Sequence, residues 1–131
     1  MSADEAPREA DRSLSILVVD DDPDSADSLA LLLEHWNHAV CVAYDGAQAI
    51  ETYRRQRPSI VLVDIRLPDM DGYEVARALK AEEHPATLVA LTGFGQDGDR
   101  RSSKEAGFDH HFVKPIDPAG LDRLLGERRA Q

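Results

Sequence analysis

"ILVVDDDPDS", residues 16–25, runs from four consecutive apolar residues straight into three aspartates. An unbroken Ile-Leu-Val-Val run fits a strand buried on both faces, the kind that parallel sheets contain. Pro23 behind Asp22 fits the first turn of a helix with the aspartate as its N-cap. Ala26, Leu29, Ala30, Leu33 and Trp36 then fall on one helical stripe, so Trp36 reads as packing rather than a stacking platform. Asn37 suits the left-handed residue that closes such a helix. The cap accounts for Asp22 but not for Asp20 and Asp21. Two carboxylates about 4 Å apart repel by roughly 4 kcal/mol at an effective dielectric near 20. Water, a cation or protonation has to relieve them.

The same alternation continues outward. "AVCVAY" (39–44) reads as a second strand and "DGAQAIETYRRQ" (45–56) as a helix entered through an Asp-Gly turn. "SIVLVD" (59–64) repeats the first strand's pattern and again ends in aspartate. "IRLPDMDG" is a loop by its Pro, Asp and Gly content, followed by a helix over "YEVARALKAEE". "ATLVALT" (86–92) is a strand, "QDGDRRSSKEAG" (96–107) a loose helix, and "FDHHFVK" (108–114) a strand. "DPAGLDRLLGERR" gives a last helix beginning at Asp117 and Pro118. Five strands alternating with five helices predict a doubly wound parallel sheet with right-handed crossovers.

The composition narrows the function classes. The chain's 131 residues suit one domain around a single core. Residues 1–13 are polar and aperiodic, the pattern of a disordered tail; residues 14–127 form the domain, and 128–131 its C-terminal end. A formal net charge of -10 disfavours a nucleic-acid partner, which needs a clustered basic face. No apolar run approaches the ~20 residues of a membrane helix, and the N-terminus has no signal-peptide core. Cys41 stands alone in a strand-like run, which excludes an internal disulfide and makes a buried, inert thiol the default. Together these features predict a small acidic cytoplasmic domain.

In doubly wound sheets, sites form beyond the carboxyl ends of the strands. Those ends carry Asp20 and Asp21 after the first strand, Asp64 after the third, Thr92 after the fourth and Lys114 after the fifth. Each alone has an ordinary structural explanation, but five on one edge form a constellation. The aspartates make a hard-oxygen site suited to Mg²⁺. A metal and an ammonium together can stabilise the equatorial oxygens of a phosphoryl group attacked by a carboxylate. Asp64, alone on the central strand, is the best nucleophile; Thr92 can donate to a phosphoryl oxygen and Lys114 can pair with it.

"LVVDD", "VLVDIRLPDMDG", "LTG" and "VKP", in this order and spacing, resemble the receiver domain of two-component response regulators over residues 14–127. The resemblance implies a flavodoxin-like fold with strand order 2-1-3-4-5. It implies Asp64 as phosphoacceptor, with Asp21 a direct Mg²⁺ ligand and Asp20 acting mainly through water. The backbone carbonyl of Arg66 would complete the metal shell. Thr92 would be the switch hydroxyl and Lys114 the phosphate-pairing lysine, joined to Pro115 by a cis peptide bond. The implied donor is a histidine kinase or a histidine phosphotransfer protein, and the implied output is a protein-interaction surface, without an output domain in this chain. Such a domain is no enzyme in the ordinary sense, although it can catalyse its own phosphorylation and dephosphorylation. It would be a monomer or weak dimer.

Three positions depart from the family pattern or tune it. His111 stands where the family has its aromatic switch residue, and a histidine there is either a switch or a surface-facing strand residue. Its neutral and charged forms would prefer different settings. Arg66 and Phe94 occupy positions that in the family tune phosphoryl lifetime by gating water. "GFDHHFVKP" is similar to receivers of hybrid sensor kinases, so the chain is either a stand-alone receiver or a segment of a larger protein. A Mg²⁺-dependent phosphohydrolase working through an aspartyl-phosphate is the competing function. Haloacid-dehalogenase-like enzymes would place an acid where Arg66 stands, which counts against it. A calcium loop at "DMDG" lacks the third acidic position before glycine and the distal glutamate, so Asp69, Asp71 and Gly72 read as the turn into the third helix.

Overall fold

The computed structural model describes residues 13–83, 85–93 and 104–129, with side chains through residue 127. Residues 1–12 of the expected tail over 1–13, most of the loose helix over 96–107, Phe94 and the last two residues lie outside the described residues. The strands are β1 (Ser15–Val19), β2 (Ala39–Ala43), β3 (Ile60–Asp64), β4 (Thr87–Thr92) and β5 (His110–Val113). The helices are α1 (Pro23–His35), α2 (Gly46–Gln56), α3 (Gly72–Lys80), α4, described over 104–106, and α5 (Pro118–Arg129). All strand pairs are parallel, in the order β2-β1-β3-β4-β5. The doubly wound arrangement and the strand order that the resemblance implied are both present.

Helix boundaries follow the local chemistry. Asp22 caps α1 by accepting from Asp24 N–H, with Pro23 at the first helical position. Trp36 ends α1 and Asn37 follows it in the left-handed region at φ 70. Asp45 caps α2 through Gln48 N–H, and Asp71 and Glu74 form a reciprocal capping box on α3.

Side chains alternate across the sheet into two apolar layers. Leu17, Val19, Val61, Val63, Leu88 and Ala90 pack against Ala49 and Tyr53 of α2 and Val75, Ala76 and Leu79 of α3. Ile16, Val18, Ile60, Leu62, Val89 and Leu91 pack on the other face against Ala26 and Leu33 of α1 and Leu121 and Leu125 of α5. Leu29 and Trp36 sit partly buried on that second layer, as the stripe on α1 predicts. Tyr53, fully buried, accepts the Ala86 N–H at 2.8 Å, so its hydroxyl does not remain an orphan in the core. Cys41 is half-buried rather than enclosed, because β2 is an edge strand; burial pushes its thiol up, against a smaller opposing effect of Arg55, which keeps it unreactive. Among the described residues no helix is long and apolar enough to cross a membrane.

Candidate functional site

The strand order decides which chain ends meet. β1 and β3 are neighbours with Val19 opposite Val63, so the next residues, Asp20 and Asp64, emerge side by side. β4 pairs with β3 and β5, and Lys114 N–H donates to the Thr92 carbonyl at 2.7 Å, which sets Lys114 just beyond Thr92 on the same edge. Asp20, Asp64 and Thr92 are buried, whereas Asp21 is exposed.

Lys114 reaches back across the edge. Its Nζ lies 2.8 Å from Asp64 Oδ2 and 3.0 Å from Asp20 Oδ2. The carboxylate cluster therefore has a cation supplied by the chain itself, in addition to any metal. The second oxygens are held by backbone: Asp22 N–H donates to Asp20 Oδ1 at 3.0 Å, and Arg66 N–H to Asp64 Oδ1 at 2.9 Å. Burial pushes the Asp64 carboxyl above the usual carboxylate range, although Lys114 and the Arg66 N–H pull the other way. For Lys114, burial works to lower the pKa, but the bonds to Asp64 and Asp20 outweigh it and the net direction is up. The ammonium stays charged.

One oxygen from each of Asp20, Asp21 and Asp64 lies within 4.8 Å of the others, so three hard donors converge on one point. That donor set fits Mg²⁺, which takes one or two carboxylates and keeps several waters. Thr92 is 2% exposed, and its Oγ1 lies 2.9 Å from His111 Nε2. His111 is half-buried on the edge strand, with its Nε2 turned toward the Thr92 hydroxyl. The Lys114–Pro115 peptide bond is cis, as the resemblance implied.

A model of the response regulator receiver domain matches residues 16–125. The chain belongs to the receiver domain family. A 14.6 kDa protein of Leptolyngbya boryana is 38% identical over 116 residues, covering 86% of this chain and 87% of that protein. The DNA-binding response regulator MtrA of Mycolicibacterium smegmatis is 39% identical over 106 residues, 81% of this chain and 46% of MtrA. This receiver thus spans about half the length of such regulators. Its structure resembles the receiver domain of sensor histidine kinase PA1611 from Pseudomonas aeruginosa, crystallised with magnesium coordinated in the active-site cleft. The TM-score is 0.81 at 32% identity, over 91% of this chain and 99% of that one. A CheY-like receiver of Methanospirillum hungatei gives 0.81 at 28% identity, over 90% and 94%.

The structure brings together all five residues of the predicted constellation, and Arg66 joins them through its N–H. Two contacts of this receiver were not legible. The bridge from Lys114 to Asp20 depends on strand order, which no local pattern reports. Asp69, read as part of the turn into α3, lies in that turn and also accepts Gly46 N–H at 2.8 Å and Ala47 N–H at 2.9 Å, at the start of α2. No signal in the sequence links positions so far apart.

Proposed function

We propose that this receiver accepts a phosphoryl group on Asp64 from a histidine kinase or a histidine phosphotransfer protein and thereby switches a protein-interaction surface. The observation that carries it is the placement of Lys114 Nζ between Asp64 Oδ2 and Asp20 Oδ2 at 2.8 and 3.0 Å, beside the three-carboxylate cluster. Transfer breaks the phosphorus–nitrogen bond of the donor. Its electron pair stays with the imidazole, which takes up a proton from solvent, while an Asp64 oxygen bonds to phosphorus. Asp20, Asp21, Asp64 and the Arg66 carbonyl would hold Mg²⁺, which when bound supplies charge neutralisation at the phosphoryl oxygens. Exposed Asp21 suits direct ligation, whereas both oxygens of Asp20 already accept hydrogen bonds, which suits contact through water.

Lys114 would exchange Asp64 for the incoming phosphoryl oxygens, keeping its charge paired throughout. Thr92, next to the same edge, would donate its hydroxyl proton to the phosphoryl group and so transmit the event to His111. A cytoplasmic location and a monomeric or weakly dimeric state complete the proposal. The acidic balance, a formal net charge of -10, supports a protein partner over nucleic acid.

Incubation with a small phosphodonor and Mg²⁺ tests the reading. One acid-stable, base-labile phosphate should appear in the intact chain and none in Asp64→Asn. Full labelling of that variant would overturn the assignment.

A further inference from the structure

Asp64 is followed by a closed loop. Gly72 N–H donates to the Ile65 carbonyl at 2.8 Å, which brings the two ends of the segment between β3 and α3 together. A side chain at Gly72 would stand 2.7 Å from Ile65 Cα and 2.9 Å from the Asp64 carbonyl oxygen, so only glycine permits that closure. Within the loop, Arg66 N–H bonds Asp64 Oδ1. The loop's outer part, Leu67 to Met70, rests on the core through the Leu67 and Met70 side chains, and its polar anchor point lies outside the loop.

The residue that reaches it is Asp69. Its two oxygens accept the first two N–H groups of α2, Gly46 and Ala47, at 2.8 and 2.9 Å, while the helix's own cap, Asp45, accepts only Gln48 N–H at 2.7 Å. The first N–H groups of a helix have no partner within it, so they are strong, fixed donors. Met70 packs over Gly46, where a side chain would meet its Sδ at 2.7 Å. Bare Gly46 is what lets the loop approach. These bonds also hold the Asp69 carboxyl below the usual carboxylate range, first through Gly46 and then Ala47, so it is ionised at neutral pH.

We propose that Asp69 is a positioning residue of the phosphorylation site: by tying the loop to the start of α2 it sets the backbone of Arg66, whose N–H bonds Asp64 and whose carbonyl would help to hold the metal. The proposal rests on the receiver reading of Asp64 given above. It predicts that loss of a contact two segments away from the metal weakens Mg²⁺ binding, as loss of groups supporting metal ligands does by 10–100-fold.

The test compares Asp69→Ala and Asp69→Asn with Asp45→Ala, which also uncaps α2 but leaves the loop tied. Mg²⁺ affinity is measured by calorimetric titration, and the Arg66 amide signal is followed by NMR in metal-free protein. Asp69→Ala should weaken Mg²⁺ by about tenfold and move the Arg66 signal. Asp69→Asn, which keeps one acceptor oxygen, should do both to a lesser degree, and Asp45→Ala should bind Mg²⁺ as the parent does. Parental affinity and an unmoved Arg66 signal in both Asp69 variants overturn the positioning role alone. So does equal weakening by Asp45→Ala, which would place the effect in helix stability. A parent chain that takes up neither Mg²⁺ nor phosphate overturns the receiver reading itself, and this proposal with it.

Discussion

Thr92 Oγ1 and His111 Nε2 lie 2.9 Å apart, linking the buried hydroxyl at the end of β4 to the neighbouring edge strand. A threonine hydroxyl has one proton. Where Nε2 accepts that proton, Thr92 must release His111 before it can donate to a phosphoryl oxygen. A neutral hydrogen bond contributes about 1 kcal/mol net, or roughly fivefold in an equilibrium. His111→Phe, which removes the competitor, should therefore tighten binding of beryllofluoride by about fivefold, measured by NMR titration with Mg²⁺ present. Thr92→Ala should weaken it. Unchanged affinity in His111→Phe would mean that Nε2–H donates to Thr92 and that no competition exists.

How much of this was legible depends on whether a feature is local. The apolar runs of β1, β3, β4 and β5 each end at a chemically marked residue, so the sequence alone places Asp20, Asp64, Thr92 and Lys114 on one edge. The cap at Asp22 was equally plain, because cap and helix are adjacent in sequence, whereas Asp45 read as part of the entering turn and is the cap itself. The pairing of Lys114 with Asp20 spans 94 residues, and the tie from Asp69 to α2 uses backbone N–H groups that carry no side-chain signature. His111 was ambiguous for a related reason. Strand alternation assigns a face, but whether that face is covered at an edge strand depends on the neighbouring elements.

Mg²⁺ should stabilise the fold by mass action, since the three-carboxylate cluster exists only in the native state. The midpoint of thermal unfolding should rise with Mg²⁺ in the parent chain, and Asp21→Ala should lose most of the rise. Asp21 is exposed, so its removal leaves the core intact and serves as a clean control. An equal shift in both proteins would place the ion elsewhere.

Removing the Lys114 ammonium leaves two largely buried carboxylates, Asp20 and Asp64, without their cation. Lys114→Met should destabilise by about 1–3 kcal/mol, between the values for exposed and fully buried pairs. The sign with pH follows from Asp64. Its folded pKa lies above its unfolded value, so its contribution to stability is present below about pH 4 and is lost as pH rises through the folded pKa. Without Lys114 that pKa moves further up, so the deficit of the variant should be small near pH 4 and grow toward pH 7. Urea unfolding across that range reads it directly. A deficit independent of pH would assign the loss to packing of the lysine stem.

Two glycines beside the site separate backbone from side-chain constraint. At Gly72 an added methyl group would sit 2.7 Å from Ile65 Cα and 2.9 Å from the Asp64 carbonyl oxygen, both main-chain atoms at the proposed phosphoacceptor. Neither can rotate away, so β3 and α3 must separate and the Gly72–Ile65 hydrogen bond must lengthen. Gly72→Ala should cost about 1–3 kcal/mol and slow phosphorylation of Asp64 as well. At Gly46 the obstacle is the Met70 side chain, which is unbranched and can adopt another rotamer. Gly46→Ala also gains helix propensity, worth about 1 kcal/mol at an interior helix position and less at the first, which offsets part of the clash. It should change urea stability by less than Gly72→Ala does and leave the phosphorylation rate closer to that of the parent. A Gly72→Ala protein with parental stability and rate would show that the loop can open without disturbing Asp64, and that the close approach at Gly72 is incidental to the site.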